Sequence, residues 1–380
     1  MTQIFQISRL VDFSSGLADQ GGVLEGVADK PFFCIPSSKV NRCIKVEAKA
    51  LSMYNINTNM RTNIVLLIVL LFPCICMATD REYNKPGVTI DKSKLYSTVL
   101  KLSGLRPPRS YDNVGSLNKA ADFILSEFQR YGYNPFEQKY KVGGTEYRNI
   151  IASYGPETGP RFIVGAHYDV AGEKPGADDN ASGIAGLLAL AELFKKHSPE
   201  MDYRIDFVAY TLEEPPFFMT KEMGSYVHAK SLHDTRVKVK GMISLEMIGF
   251  YSEALNSQIY PVPFMKLFYP SKGNFIGVIG NFASSRLVRQ VRDRMRAADI
   301  GVESLLAPSL LIGVDFSDHR NYWKFGYPAI MITDTAFYRN PKYHSASDTI
   351  DTLNFDKMKE VVKGLYWALI NLNTAKDTER

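Results

Sequence analysis

Hydrophobic residues along the chain follow two alternating patterns, one typical of helices and one typical of buried strands. Between residues 116 and 131 the apolar positions keep the i, i+3, i+4 spacing of an amphipathic helix. Short runs such as Phe162–Val164 and Ala329–Ile332 are apolar at every position, which is typical of strands covered on both faces. The alternation of the two patterns after residue 90 predicts an α/β domain with helices on both sides of a central sheet.

The boundaries of these elements can be read from the same pattern. The predicted strands are Phe136–Val142, Tyr147–Tyr154, Arg161–Ala166, Tyr203–Leu212, Val237–Leu245, Phe275–Ile279 and Ala329–Ile332. The predicted helices are Asp91–Ser103, Ser116–Tyr131, Ser182–His197, Ser284–Ala298, His319–Phe325 and Phe355–Leu372. No internal repeat or low-complexity linker interrupts the series, so one large domain accounts for it.

A separate apolar run, Ile64–Ala78, precedes the domain and follows the short basic segment Met60–Asn63. A basic start, an apolar core and a small residue at its end make up a secretory signal peptide. The run contains Pro73 and is shorter than the roughly 20 residues that span a bilayer. We therefore expect a cleaved signal and a periplasmic or secreted protein. An uncleaved membrane anchor and a buried core helix are the alternatives.

Residues 1–59 carry no motif and little periodicity. Met53 and Met60 offer later translation starts, so we expect the upstream segment to be a mis-annotated extension. Mass-spectrometric detection of peptides from residues 1–52 in the natural protein would contradict this. The expected organisation is an N-terminal extension at residues 1–59, a signal peptide at 60–78 and one domain at 79–380.

Charge and composition narrow the function classes. The 380 residues include 45% hydrophobic and 22% charged side chains, which is typical of a globular protein with a large core. The 45 basic and 40 acidic residues are dispersed along the chain. Nucleic acid is therefore not an expected partner.

Cysteine and histidine occupy different parts of the chain. All four cysteines precede residue 80, and all six histidines follow residue 160. A domain without cysteine has no disulfide, no thiol nucleophile and no thiolate ligand. Any metal bound by it must rely on imidazole and carboxylate groups.

Ligands of α/β sheets bind at the carboxyl ends of the strands, and polar side chains collect there in this sequence. The strand Arg161–Ala166 ends in His167 and Asp169. Residues i and i+2 of an extended chain point the same way, so Asp169 could accept a hydrogen bond from the free ring nitrogen of His167 and fix its tautomer.

The loop Gly176–Gly183, rich in small residues, leads into the next predicted helix. Its small residues allow the backbone to approach closely enough to place Asp179 between two cations. A simple helix cap is the alternative interpretation of the acidic and hydroxyl residues of this loop.

Three further strand ends carry carboxylates or imidazole. Glu213 and Glu214 follow the strand Tyr203–Leu212, so that one could bind a metal while the other handles a proton. Glu246 ends an apolar run, and a buried acid is costly unless it is paired or coordinates a metal. Tyr343 and His344 lie between the last predicted strand and the last helix. Imidazole and carboxylate without thiolate favour zinc, with manganese or cobalt as substitutes.

In order and spacing, these segments resemble the co-catalytic zinc aminopeptidases of the aminopeptidase Y type, metallopeptidase family 28. The resemblance covers about residues 113–355. Its motifs are Gly165-Ala166-His167-Tyr168-Asp169, Gly176 to Gly183, Glu213-Glu214, Glu246-Met247-Ile248-Gly249 and Tyr343-His344. It implies the zinc-exopeptidase fold, a three-layer α/β sandwich with a mixed, mostly parallel central sheet.

The resemblance implies two zinc ions per chain. His167 would bind the first zinc ion, His344 and Glu214 would bind the second, and Asp179 would bridge the two. Where the family usually has Asp as the remaining ligand of the first zinc ion, this chain has Glu246. The longer side chain can still reach a cation, but it puts the spacing and occupancy of that site in question.

The implied activity is hydrolysis of the N-terminal peptide bond of peptides by a metal-activated water. Glu213 would be the general base, and Tyr343 would hydrogen-bond the oxyanion of the tetrahedral intermediate. Peptides with free N-termini would be the substrates.

Alternatives on the same scaffold stay open. A glutaminyl cyclase uses a single zinc ion, whereas residues 179–183 here keep the aminopeptidase form. A carboxypeptidase or dipeptidase would use the same di-zinc core. A non-catalytic binding ectodomain would have lost ligands or the base, and here every position holds a competent side chain.

Overall fold

The structure is a computed structural model that describes residues 84–372. The predicted extension at residues 1–59 and the predicted signal peptide at residues 60–78 lie outside the described residues. None of the helices within residues 84–372 is long and apolar enough to cross a membrane.

Strands and helices alternate along the described chain. The strands are β1 (Phe136–Val142), β2 (Thr145–Tyr154), β3 (Arg161–His167), β4 (Arg204–Tyr210), β5 (Val239–Glu246), β6 (Phe275–Gly280), β7 (Gly301–Leu306) and β8 (Ala329–Thr333). The α-helices are α1 (Lys92–Ser103), α2 (Val114–Arg130), α3 (Gly183–His197), α4 (Gly224–Asp234), α5 (Ser285–Met295), α6 (His319–Lys324) and α7 (Phe355–Ile370).

The strands form one mixed sheet in the order β1-β2-β4-β3-β5-β8-β6-β7. Its centre, β4-β3-β5-β8, is parallel throughout. β1 and β2 pair antiparallel at one side of this centre. On the other side β6 pairs antiparallel with β8 and parallel with β7. Because β4, β3, β5 and β8 run in one direction, their carboxyl ends meet at one edge of the sheet.

Helices cover both faces of the sheet and make three layers. On one face the apolar sides of α1, α2, α3, α5 and α7 form the larger hydrophobic core. On the other face α4 and α6 cover a smaller core that includes Ile163, Tyr210 and Tyr322. Alternation along β3 places Phe162 and Val164 in the larger core and Ile163 in the smaller one. The predicted fold class, a three-layer α/β sandwich with a mixed, mostly parallel sheet, is confirmed.

The hydrophobic pattern does not predict strand β7. It lies at the edge of the sheet, where Gly301 begins it and Glu303 and Ser304 interrupt its apolar residues. An edge strand is covered less completely than a central one, so its sequence need not be continuously apolar.

Candidate metal centre

The site lies where the four central strands end. His167 is the last residue of β3 and Glu246 is the last residue of β5. Glu213 and Glu214 follow β4, and the loop after β8 carries His344. All eight side chains named from the sequence, including Asp169, Asp179 and Tyr343, therefore come from one edge of the sheet.

Asp179 lies between two separate groups of side chains. Its Oδ1 is 3.3 Å from His167 Nε2, and His167 Nε2 is 3.4 Å from Glu246 Oε2. Its Oδ2 is 3.1 Å from His344 Nε2, and His344 Nε2 is 3.1 Å from Glu214 Oε2. Each oxygen of one carboxylate thus faces a different imidazole, and each imidazole faces a second carboxylate.

These distances are those expected around metal ions. Two ligand atoms of a tetrahedral zinc ion, each about 2.0–2.1 Å from the metal, lie about 3.3 Å apart. One ligand atom from each of His167, Asp179 and Glu214 also lies within 4.8 Å of the others. The positions of these side chains are therefore compatible with metal binding.

Several atoms of the site have no hydrogen-bond partner among the described residues although they are buried. They are His167 Nδ1 and Nε2, Asp179 Oδ1, Glu214 Oε1 and His344 Nε2. Buried polar atoms are almost always hydrogen-bonded, and leaving one unsatisfied costs about 1–3 kcal/mol. The concentration of such atoms at one point fits a site built for cations.

Left-handed backbone conformations adjoin the ligands. Leu212, Met247 and His344 have φ angles of 58°, 53° and 53°. Such residues cost about 1–3 kcal/mol each when they are not glycine, and they concentrate at functional sites. The bend at Leu212 precedes the Glu213–Glu214 pair, and the bend at Met247 follows Glu246 directly.

Asp169 organises the site through the backbone. Its Oδ1 and Oδ2 accept hydrogen bonds from the backbone N–H groups of Glu213 (3.2 Å) and Glu214 (3.0 Å). Its Oδ1 is 3.6 Å from His167 Nδ1, which is longer than the hydrogen bond suggested by the sequence. The carboxylate lies beside the imidazole as predicted, and its hydrogen bonds fix the loop that carries the two glutamates.

The loop of Asp179 is held by a second buried acid. The Asp348 carboxylate accepts hydrogen bonds from the backbone N–H groups of Asp178 (2.8 Å) and Asp179 (3.1 Å). The Asn180 side chain accepts from Gly183 N and Met247 N. These contacts connect the Asp179 loop to the segment after Glu246 and to the loop that follows His344.

The side chain of Glu246, which is longer than the usual Asp, is held in the site by a hydrogen bond. Its Oε2 accepts a hydrogen bond from Ser317 Oγ at 2.8 Å, and Ser317 Oγ lies 2.7 Å from Ser244 Oγ. The same oxygen faces His167 Nε2 at 3.4 Å. The Glu246 carboxylate therefore lies directly beside the His167 imidazole.

The acids and imidazoles of the site shift each other's pKa against the effect of burial. Burial opposes a charged imidazole, yet Glu214 and Asp179 raise the pKa of His344 to about 11. Burial favours neutral Asp179, but the imidazoles of His167 and His344 outweigh it and hold the pKa of this carboxyl below its usual range. Cations bound by these residues would replace the protons of the imidazoles, so their binding would release protons.

Glu213 and Tyr343 face the same space as the ligands. Burial raises the pKa of Glu213 well above its usual range, and its Oε2 is 3.8 Å from His167 Nε2. Burial, followed by the charges of Asp179 and Glu214, raises the pKa of Tyr343 well above 10, so its phenol keeps its proton. The Tyr343 ring stacks on His344 with centroids 3.8 Å apart.

Arg109 is a supporting residue that sequence reasoning missed. It is 1% exposed, and its guanidinium donates hydrogen bonds to the carbonyls of Tyr168 (2.8 Å), Leu102 (3.2 Å), Pro175 (2.7 Å) and Gly176 (2.7 Å). It thereby joins the segment after His167 to the loop before Asp179. Its signal in the sequence is a single arginine after two prolines, which predicts none of these contacts.

We expect Arg109→Lys to lower the free energy of unfolding by about 3 kcal/mol, because buried carbonyls lose their donors. Urea unfolding measures the change. Arg106→Lys is the matched control, since Arg106 is an exposed neighbour that donates to the carbonyls of Ser103 and Leu105. Equal unfolding midpoints for the two variants would contradict the role given to Arg109.

Known proteins resemble the part of the chain that carries the candidate site. The family model described as peptidase family M28 matches residues 149–367. A curated protein of Escherichia coli K12, described as uncharacterized protein YfbL, is 45% identical over 81% of this chain and 97% of its own length. Leucine aminopeptidase 1 of Ajellomyces capsulatus is 26% identical over 57% of this chain and 53% of its own length.

Solved structures share the fold. LapB from Legionella pneumophila aligns with a TM-score of 0.59 at 21% identity, over 85% of this chain and 84% of its own. A glutaminyl cyclase from Bacteroides thetaiotaomicron aligns with a TM-score of 0.58 at 19% identity, over 76% of this chain and all of its own. At this level of identity the likeness concerns the fold alone.

Proposed function

We propose that this chain, which belongs to peptidase family M28, is a zinc-dependent aminopeptidase that hydrolyses the N-terminal peptide bond of peptides. Its family and its aminopeptidase relatives make it a peptidase. The finer assignment, to a metal-dependent exopeptidase acting on free N-termini, is supported by the site.

The position of Asp179 is the observation that carries the proposal. Its two oxygens face His167 and His344 at 3.3 Å and 3.1 Å, and Glu246 and Glu214 complete the two groups. Asp179 would bridge two zinc ions held by these residues. When bound, zinc polarises a carbonyl oxygen and lowers the pKa of a water molecule toward 7.

Glu213 and Tyr343 supply the protein's own chemistry. Glu213 takes a proton from the attacking water and gives it to the leaving amine. A carboxyl whose pKa burial raises is suited to both steps, because it can hold the proton between them. The Tyr343 hydroxyl donates a hydrogen bond to the oxygen that becomes negative in the tetrahedral intermediate.

The surroundings of the site favour a free N-terminus. An α-amino group carries positive charge at neutral pH, and the carboxylates of the site attract it. An apolar groove that Glu246 and Tyr343 also line opens beside the metal centre. The side chain of the first substrate residue would lie in this groove.

Export belongs to the same proposal. The basic segment Met60–Asn63, the apolar run Ile64–Ala78 and the small residue that ends this run support a secreted or periplasmic peptidase. N-terminal sequencing of the mature natural protein should begin close to Thr79. A mature protein that keeps Ile64–Ala78 would instead be membrane-anchored.

Peptides that differ only at their termini test the activity. We expect the zinc-loaded protein to remove single residues from peptides with free N-termini and to leave N-acetylated peptides intact, as read by mass spectrometry. Cleavage of acetylated peptides from the other end would make it a carboxypeptidase. Loss of ammonia from N-terminal Gln, without cleavage, would make it a glutaminyl cyclase.

A further inference from the structure

We infer that Glu303 gives the groove beside the metal centre a preference for substrates whose first residue is Lys or Arg. The inference rests on the proposed aminopeptidase activity, because it concerns the first residue of that substrate. It adds a specificity-determining carboxylate at the far end of the groove.

The floor of the groove is one face of the sheet. In the register of the strands, Glu303 on β7 pairs with Gly277 on β6, Gly277 pairs with Thr333 on β8, and Thr333 pairs with Glu246 on β5. Paired residues on adjacent strands point to the same face, so the four positions form one row. The row begins at the metal-ligand Glu246 and ends at Glu303.

The middle of this row lacks a long side chain. Gly277 has none, and a Cβ there would lie 3.2 Å from the Thr333 carbonyl oxygen and 3.3 Å from Ile279 Cδ1, so Ile279 packs beside this position. Three strand spacings separate the Cα atoms of Glu246 and Glu303 by about 14 Å. The walls beside the row are mainly apolar and include Met265, Tyr269 and Ile279.

The Glu303 carboxylate is half-buried, and it forms no hydrogen bond or ion pair with any residue of the described chain. Burial raises its pKa, and the positive charges of Arg296 and Arg292 oppose this from the edge of the sheet. Both arginines have other partners: Arg292 pairs with Asp293 at 2.7 Å, and Arg296 donates to the Val302 carbonyl at 3.4 Å. A half-buried carboxylate without a direct partner favours a cation supplied by the ligand.

Lys and Arg match both parts of the groove. Their long methylene stems pack on apolar walls while the charged end stays at a polar group. Their length lets them extend along the row toward Glu303, whereas Leu or Met would end short of it. The charge pair would then form in a partly desolvated groove, where removal of one partner is costly.

Kinetics with three matched substrates test the inference. We expect the zinc-loaded protein to cleave peptides that begin with Arg or Lys with a higher kcat/KM than peptides that begin with norleucine. Glu303→Gln should lower kcat/KM for the two basic substrates at least tenfold, chiefly through KM, and should leave norleucine within twofold. Glu200→Gln is the matched control, because Glu200 is exposed and precedes the amino end of β4, whereas the metal centre lies at the carboxyl end.

The outcomes separate this inference from the proposed function. If the wild type cleaves free N-termini but Glu303→Gln leaves the ratio of basic to norleucine substrates unchanged, or lowers all three equally, the inference is wrong and the aminopeptidase assignment stands. If no free N-terminus is cleaved, the assignment fails, and calorimetric binding of argininamide and norleucinamide decides the role of Glu303. Argininamide should bind the wild type at least tenfold more tightly than Glu303→Gln, and equal affinities would overturn the inference.

Discussion

Glu213→Gln should abolish most of the peptidase activity while the zinc content stays unchanged. Glutamine keeps the shape of the side chain but cannot accept and return a proton, and general acid–base catalysis contributes about 10²–10⁴-fold to such reactions. We therefore expect kcat to fall about a thousandfold. Glu213 Oε2 lies 3.8 Å from His167 Nε2, so this carboxylate faces the metal centre from beside the first ligand group.

The measurement combines single-turnover kinetics with elemental analysis of bound zinc. Glu200→Gln is the control, because it makes the same chemical change at an exposed glutamate. Near wild-type kcat in Glu213→Gln would show that another group moves the proton. A loss of zinc together with activity would show that Glu213 is a ligand rather than the base.

Strand ends explain why so much of the candidate site could be predicted from the sequence. A polar residue that ends a continuously apolar run, as His167 and Glu246 do, marks the edge where parallel strands finish. Because β4, β3, β5 and β8 are neighbours with one direction, residues distant in sequence arrive at one edge. The local pattern was therefore sufficient to predict that these side chains meet at one edge, whereas their assignment as metal ligands rests on the family resemblance.

The supporting contacts could not be predicted in this way. Arg109 bonds to backbone carbonyls up to 67 residues away, and Asp348 accepts from amides 169 and 170 residues away. Such contacts depend on where loops pass each other in space, and they leave no periodic pattern. Glu303 was missed for a related reason, since the edge strand that carries it lacks the continuous apolar run of the central strands.

Supporting contacts of this kind hold the proposed metal ligands in place. Asp169 fixes the loop of Glu213 and Glu214, while Asp348 fixes the loop of Asp179. The carboxylates are thus oriented by backbone hydrogen bonds rather than by the cation alone. Preorganised ligands raise metal affinity, because their side chains lose less conformational entropy when the metal binds.

Asp179→Asn should remove both metal ions, because Asp179 belongs to both groups of ligands. Asparagine keeps the shape but offers one neutral oxygen, which cannot serve two cations. We expect bound zinc to fall from two ions per chain to fewer than one, and kcat/KM to fall at least a thousandfold. The stabilisation by excess zinc, about 4 kcal/mol at a thousandfold excess over Kd, should disappear from thermal unfolding curves.

Glu246→Gln is the comparison that makes this result specific. Of the two imidazoles of the metal centre, Glu246 faces that of His167, with 3.4 Å between Glu246 Oε2 and His167 Nε2. Loss of the Glu246 carboxylate should therefore affect one ion. We expect this variant to retain about one zinc ion per chain, bound by the His344 and Glu214 group, in elemental analysis after dialysis. If Asp179→Asn and Glu246→Gln lose the same amount of zinc, Asp179 does not bridge two ions. Two retained ions in Asp179→Asn would exclude it as a ligand altogether.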